Sequence, residues 1–259
     1  MAEYLEVAEA RDLPGLRLAL TAGVPGPWGE AAKGVFYVKR IPFVKVRQLP
    51  GEPNEELKAW TGHDNAPIAV YENERPRTTW TEILFLAERL TPEPALIPAD
   101  PAERARMFGL SHELCGELGL AWCRRLSMIH ELLSKVPEGS PGRAMAQRLG
   151  AKYGYEPKLA ETAPQRVAQI LTLLSEQLRE QRERGSPYLI GERLSALDIH
   201  WAAFAAILDP LPDDVCPLPP FMRQQYTARD PVVREALHSG LLAQRDFIYQ
   251  KHLELPLSF

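Results

Sequence analysis

The sequence predicts an α+β protein of two domains, a βαβ–ββα half followed by an all-helical half, and three features point there. Residues 16–90 alternate between period-two and helical apolar patterning. A proline cluster, Pro92–Pro101, comes next, where each ring fixes φ and removes a backbone donor. From residue 102 onward the period is helical almost throughout. With 259 residues, 45% hydrophobic and 25% charged, the chain can bury two cores of the usual ~100–150-residue domain size. The expected divisions are an N-terminal extension over 1–15, a first domain over 16–92, a linker over 93–101 and a helical domain with an extended tail over 102–259.

The elements follow in order. Leu16–Thr21 alternates apolar and polar, a strand, and Ala22–Pro27 breaks the pattern as a Gly/Pro loop. Trp28–Arg40 spaces Trp28, Ala31, Ala32, Val35 and Phe36 as one helical face, with Pro27 suited to the first turn and Glu30 near the positive end. Phe43–Arg47 alternates again, which makes a parallel βαβ unit. Asn54–Trp60 is at most a short helix. Ile68–Tyr71 and Arg77–Thr79 flank a turn and read as a hairpin, and Thr81–Leu90 closes the region as a helix. Beyond the prolines, Met107, Leu110, Leu114, Leu118 and Trp122 form one helical stripe, and Val167, Ile170, Leu171, Leu174 and Leu178 another. Glu176–Arg184 is a solvated face that stops at Gly185-Ser186-Pro187. Ser195-Ala196-Leu197-Asp198 is a capping box ahead of an apolar helix, and Val232–His252 reads as a last amphipathic helix.

Composition excludes several classes. The longest apolar stretch, Ile199–Leu208, is ten residues and includes His200, short of the ~20 a bilayer helix needs, so no membrane partner is expected. Met1–Leu13 carries four acidic residues and no apolar core, which does not read as a signal peptide, and a cytoplasmic protein is expected. Net charge −4 with scattered Lys and Arg gives no footprint for nucleic acid. The three cysteines, Cys115, Cys123 and Cys216, fit neither a disulfide framework nor a metal site. His112-Glu113 and His130-Glu131 lack the second histidine of a zinc motif, and no metal is expected.

The order of elements, the proline linker and the segment YLIGERLSALDIHWA resemble the glutathione transferase superfamily, with Tyr188, Leu189, Gly191, Ser195 and Asp198 matching its helical-domain motif across roughly residues 16–208. The resemblance implies a thioredoxin-like domain followed by a helical domain, a homodimer, and glutathione as co-substrate for a small hydrophobic electrophile, by conjugation or glutathione-dependent reduction. Its alternative is a non-catalytic ligand-binding or protein-interaction member of the fold.

The resemblance also implies a site. Ala66, before Pro67 as a cis-proline, would offer its backbone to the cysteinyl part of glutathione, with Asn65 beside it. At the start of the third helix the family's acid–serine pair reads Trp80-Thr81, which keeps the hydroxyl and loses the carboxylate; Thr81 is either a ligand to the γ-glutamyl end or an N-cap. In the catalytic loop Gly26-Pro27-Trp28-Gly29 falls where other members carry a cysteine, serine or threonine. Activation then falls to the backbone N–H groups of Trp28 and Gly29 at a helix N-terminus, similar to Nu-class members, with Thr21 the nearest hydroxyl, a catalytic candidate or a strand-end residue. Trp28 lies over the thiol or packs under the loop. Lys33 and Glu30 read as solvent-facing. Met107, Ser111, His112 and Cys115, with Tyr153 and Tyr155 as lids, would line the electrophile pocket or belong to the core.

Overall fold

The computed structural model describes residues 4–259. The first part of the chain runs α1 (Val7–Ala10), β1 (Leu16–Thr21), α2 (Pro27–Val38), β2 (Phe43–Gln48), α3 (Glu55–Thr61), β3 (Ile68–Tyr71) and α4 (Trp80–Leu90). After a stretch without regular structure come α5 (Pro101–Cys115), α6 (Leu120–Lys135), α7 (Pro141–Lys152), α8 (Pro157–Glu183), α9 (Ala196–Ala205), α10 (Pro220–Tyr226), α11 (Pro231–Ala236) and α12 (Ser239–His252). No helix among the described residues is long and apolar enough to cross a membrane.

The sheet has the order β2-β1-β3. β1 pairs parallel with β2 from Leu16–Phe43 to Thr21–Gln48 and antiparallel with β3 from Leu16–Tyr71 to Ala19–Ile68. The second strand of the expected hairpin shrinks to one antiparallel bridge, Ala69–Arg77. Pro76 has no N–H to give a ladder, and the N–H groups of Thr78 and Thr79 donate to the Glu82 carboxylate at 3.1 and 3.3 Å, which turns the chain into α4. The N-terminal segment takes up the free edge of β2: Leu5 N–H donates to the Lys45 carbonyl, and Arg47 N–H donates to the Leu5 carbonyl. Covering an edge in this way prevents its pairing with another chain.

The sheet's two faces have separate cores. One is a small cluster of Val7, Ala10, Val46, Leu57, Ile68 and Val70 under α1 and α3. The other runs from the inner faces of α2 and α4 without a break into α5, α6, α8 and α9. α9 is buried on every side, and α2 lies against it through Gly34, where a Cβ would come within 2.8 Å of Ile199 Cγ2. Lys39, fully buried, fixes the other end of α2: its ammonium pairs with Glu88 at 2.6 Å and donates to the carbonyls of Thr91 and Pro94.

Two helical expectations change. The stripe through Leu118 is interrupted because α5 stops at Cys115; Leu118 sits at φ 56 and is exposed, and Gly119 turns so tightly that a Cβ would meet the Glu113 carbonyl at 2.6 Å. The helix expected over 232–252 divides into α11 and α12 at Leu237-His238, just ahead of Ser239-Gly240, where helix propensity is low.

Candidate functional site

A cleft of about 790 Å³ opens beside the N-terminus of α2, between the β1–α2 loop, the turn before β3 and the faces of α6 and α7. The sequence builds its floor with few side chains. Gly26 is the N-cap of α2 in an extended conformation (φ −66, ψ 136) and has no side-chain acceptor to give the helix; Pro27 fills the first position. The N–H groups of Trp28 and Gly29 therefore belong to the unsatisfied donors that open a helix, at the positive end of its dipole, and both residues line the cleft. A Cβ on Gly26 would meet nothing within 4 Å, so the loop is open toward the cleft.

Opposite stand Asn65, Ala66 and Pro67, with the Ala66–Pro67 bond cis, and Thr78 beside them. The roof is α7. A Cβ on Gly51 would come within 2.8 Å of Met145 Sδ, and Lys152 pairs with Asp64 at 3.1 Å across the opening.

Tyr4 and Tyr226 line the cleft, as does Glu30, one half of a buried ion pair. Burial pushes the Tyr226 hydroxyl up to about 12, with the Arg125 charge acting the other way, and Tyr4 is pushed up to about 12 by burial and then by Glu30. Neither phenol is a base near neutral pH. Glu30 and Lys33, expected to face solvent, are buried instead: the carboxylate sits 2.9 Å from the ammonium, which also donates to the Ser258 carbonyl. The C-terminal tail supplies the third partner, and burial pushes the Glu30 carboxyl up while Lys33 opposes it.

Of the residues expected at the site, Gly26, Trp28, Gly29, Asn65, Ala66, Pro67, Cys115 and Tyr153 line this one cleft. Trp28 packs under the loop, where its Nε1 donates to the Cys115 carbonyl at 2.9 Å and its ring meets Phe204 edge-on, and the indole also borders the cleft. Thr21 lines the cleft too, but its hydroxyl donates to Gln48 Oε1 at 2.7 Å across the β1–β2 pair.

Trp80 and Thr81 lie outside the cleft lining. The N-cap of α4 is Thr79, in a capping box with Glu82, and the Thr81 hydroxyl sits 3.1 Å from that of Thr79. Trp80 packs instead between Phe108 and His200. Met107 is fully buried in the core, and Ser111, also buried, bonds His200 Nδ1 at 3.0 Å. His112 is outside the cleft, and Tyr155 turns its hydroxyl to His130 at 2.8 Å. Burial alone raises the Cys115 thiol, so it carries no thiolate at neutral pH.

Sequence reasoning missed Arg125 on α6 and the α7 face. Both carry a readable signal, since Trp122 and Arg125 are three apart and Met145, Arg148, Leu149 and Lys152 follow the 3–4 spacing of one helical face. It also missed Tyr4 and Tyr226, which arrive from opposite ends of the chain.

No protein-family model and no curated protein matches this chain. Solved structures do. The β-etherase LigF from Sphingobium sp. strain SYK-6 superposes with TM-score 0.63 at 20% identity, covering 92% of this chain and 96% of that one. A glutathione S-transferase from Methylobacterium radiotolerans, in complex with glutathione sulfonate, gives 0.60 at 15% identity and 91% of each chain. One from Methylobacillus flagellatus KT with glutathione bound gives 0.56 at 13% identity, over 88% and 98%. These likenesses are of architecture, and together with the strand order and helical half described above they establish that this chain has the glutathione transferase fold.

Proposed function

We propose that the protein is a glutathione transferase-like enzyme that binds reduced glutathione in the 790 Å³ cleft and directs its thiolate at a small electrophile. The observation that carries this is the uncapped start of α2, where donors of Trp28 and Gly29 face the cleft opposite Ala66. A thiol of pKa ~8.5 falls to ~3.5–7.5 at favourable helix N-termini, so oriented backbone donors can hold a thiolate without a side-chain hydroxyl. The thiol proton passes to solvent, sulfur bonds to the electrophilic carbon, and the leaving group departs with its electron pair. With glycine at position 26 there is no cysteine for a mixed disulfide, which favours conjugation, or reduction by two glutathiones. A cytoplasmic setting suits this reading, since that compartment maintains a reduced glutathione pool.

Calorimetric titration with reduced glutathione tests it. The expected result is saturable binding at micromolar to low-millimolar Kd that disappears in Gly26→Phe, whose Cβ meets nothing within 4 Å at an ordinary φ of −66 and whose ring is meant to obstruct the thiol position beside α2. No heat at several millimolar in the wild type overturns the reading. A non-catalytic binding member is favoured by one observation, the engagement of the Thr21 hydroxyl with Gln48, and would show this binding with no turnover of aromatic halides, peroxides or disulfides.

We further propose a homodimer. Phe85 on α4 is 46% exposed, stacks on Phe108 of α5 at 5.7 Å and lies under the Arg104 guanidinium, an aromatic patch suited to burial against a second copy. Light scattering should give twice the 29.1 kDa chain mass, falling to one chain in Phe85→Glu. A wild-type mass of one chain rejects the dimer.

A further inference from the structure

We propose that Arg125 makes the cleft selective for electrophiles that carry a carboxylate, a planar aromatic acid being the best fit. This rests on the cleft being the glutathione site. The Arg125 guanidinium carbon lies over two aromatic rings, 4.6 Å from the Trp28 ring centre and 4.2 Å from that of Tyr153, and these contacts fix its place at the cleft. Tyr153 is braced in turn by Trp122, edge-on at 5.4 Å and 90°. A guanidinium held by cation–π contacts keeps N–H donors for a planar acceptor, because the rings themselves offer no carboxylate.

No carboxylate among the described residues forms an ion pair with Arg125. The cleft's own acids are otherwise engaged, Asp64 with Lys152 and Glu30 with Lys33, and Glu52 lies exposed at the rim. Its neighbour Arg124 shows the contrasting structural use: buried, it donates to the carbonyls of Ile207, Gln225 and Thr227 and faces away from the cleft. Arg125 therefore brings an unneutralised, oriented charge to the cleft. That charge is felt inside, since it opposes the rise of the Tyr226 hydroxyl.

Geometry ties this charge to the reaction. Trp28 at once carries the Arg125 guanidinium over its ring and supplies a backbone donor at the start of α2. An aromatic electrophile that reaches the sulfur would thus lie beside the indole with an acidic substituent toward Arg125. For a chloronitrobenzoate, thiolate sulfur attacks the ring carbon bearing chlorine, the C–S bond forms, the C–Cl bond breaks and chloride leaves with the pair. The carboxylate is unchanged throughout.

The test compares two stable products, S-(4-carboxy-2,6-dinitrophenyl)glutathione and its uncharged carboxamide, by calorimetry on wild type, Arg125→Gln and Arg125→Lys. The wild type should bind the acid about 10-fold more tightly than the amide, as a charge-assisted bond predicts. Arg125→Gln should remove the preference and Arg125→Lys keep part of it, because an ammonium retains charge and loses the fork. Equal wild-type affinities overturn the inference whether or not the variants fold. So does a preference that survives Arg125→Gln, or an equal weakening of both conjugates, which would place the arginine on glutathione itself. Absence of binding by glutathione alone removes the parent reading; glutathione binding with equal conjugate affinities removes this inference only.

Discussion

Replacing Asp198 by alanine should cost about 4 kcal/mol of folding stability, the sum expected for two buried N–H groups left unpaired and a lost cap. The carboxylate is fully buried at the start of α9. One oxygen accepts from Leu189 N–H at 2.8 Å, the other from Ser195 N–H at 3.0 Å and the Ser195 hydroxyl at 2.8 Å. Alanine removes all three hydrogen bonds without opening a path for water, because α9 is enclosed by α2, α5 and α12. For a chain of this size the melting temperature should fall by about 10 °C. Asp198→Asn keeps one carbonyl oxygen and should lose roughly half as much. Urea denaturation measures both, and a loss under about 1 kcal/mol for alanine would show that the two N–H groups find other partners.

The Asp198 contacts also show where sequence reading works and where it stops. Ser195 and Asp198 are three apart, so their reciprocal bonds are a local geometry that Ser-x-x-Asp spells out. The bond to Leu189 crosses the turn at Gly191, whose φ is 60, and depends on how the preceding loop folds back. The same division runs through the molecule. β1, α2 and β2 were legible because period two and period 3.6 are visible within a dozen residues. The buried state of Lys33 was not, because the carbonyl that receives it belongs to Ser258, 225 residues away. The cap of α4 was misplaced by two residues because three threonines lie at 78, 79 and 81, and only the reach of Glu82 back to Thr79 selects among them. At the candidate site, the glycine loop and the Asn65–Pro67 turn came from the resemblance; Arg125 and α7 needed the fold, since only packing decides which helical face meets the cleft.

Acid should destabilise the protein through His200, and the effect should be visible against an opposing one from Asp198. His200 is buried on α9, bonded to Ser111 and set edge-on against Trp80 at 5.2 Å, so the contact joins α4, α5 and α9. Burial lowers its pKa from 6.5 to about 3. The folded state therefore binds fewer protons than the unfolded state between those values, and stability contributed by the neutral imidazole is present above pH 6.5 and lost as pH falls toward 3. Asp198 has the opposite sign: burial raises its carboxyl to about 6 against bonds that lower it, so the folded state holds the extra proton and stability rises as pH falls from 6 toward 4. Between pH 6 and 4 the two slopes cancel in the wild type. His200→Gln, which keeps a polar partner for Ser111, removes only the first. Its stability relative to wild type should then improve by about 3 kcal/mol on going from pH 7 to pH 4, the 2.5-unit window below 6.5 at about 1.4 kcal/mol per unit. Denaturation curves at the two pH values measure that difference, in which every other titrating group cancels. Parallel pH profiles for variant and wild type would mean that His200 accepts a proton inside the folded protein, and that the Trp80–His200–Ser111 contact opens before the chain unfolds.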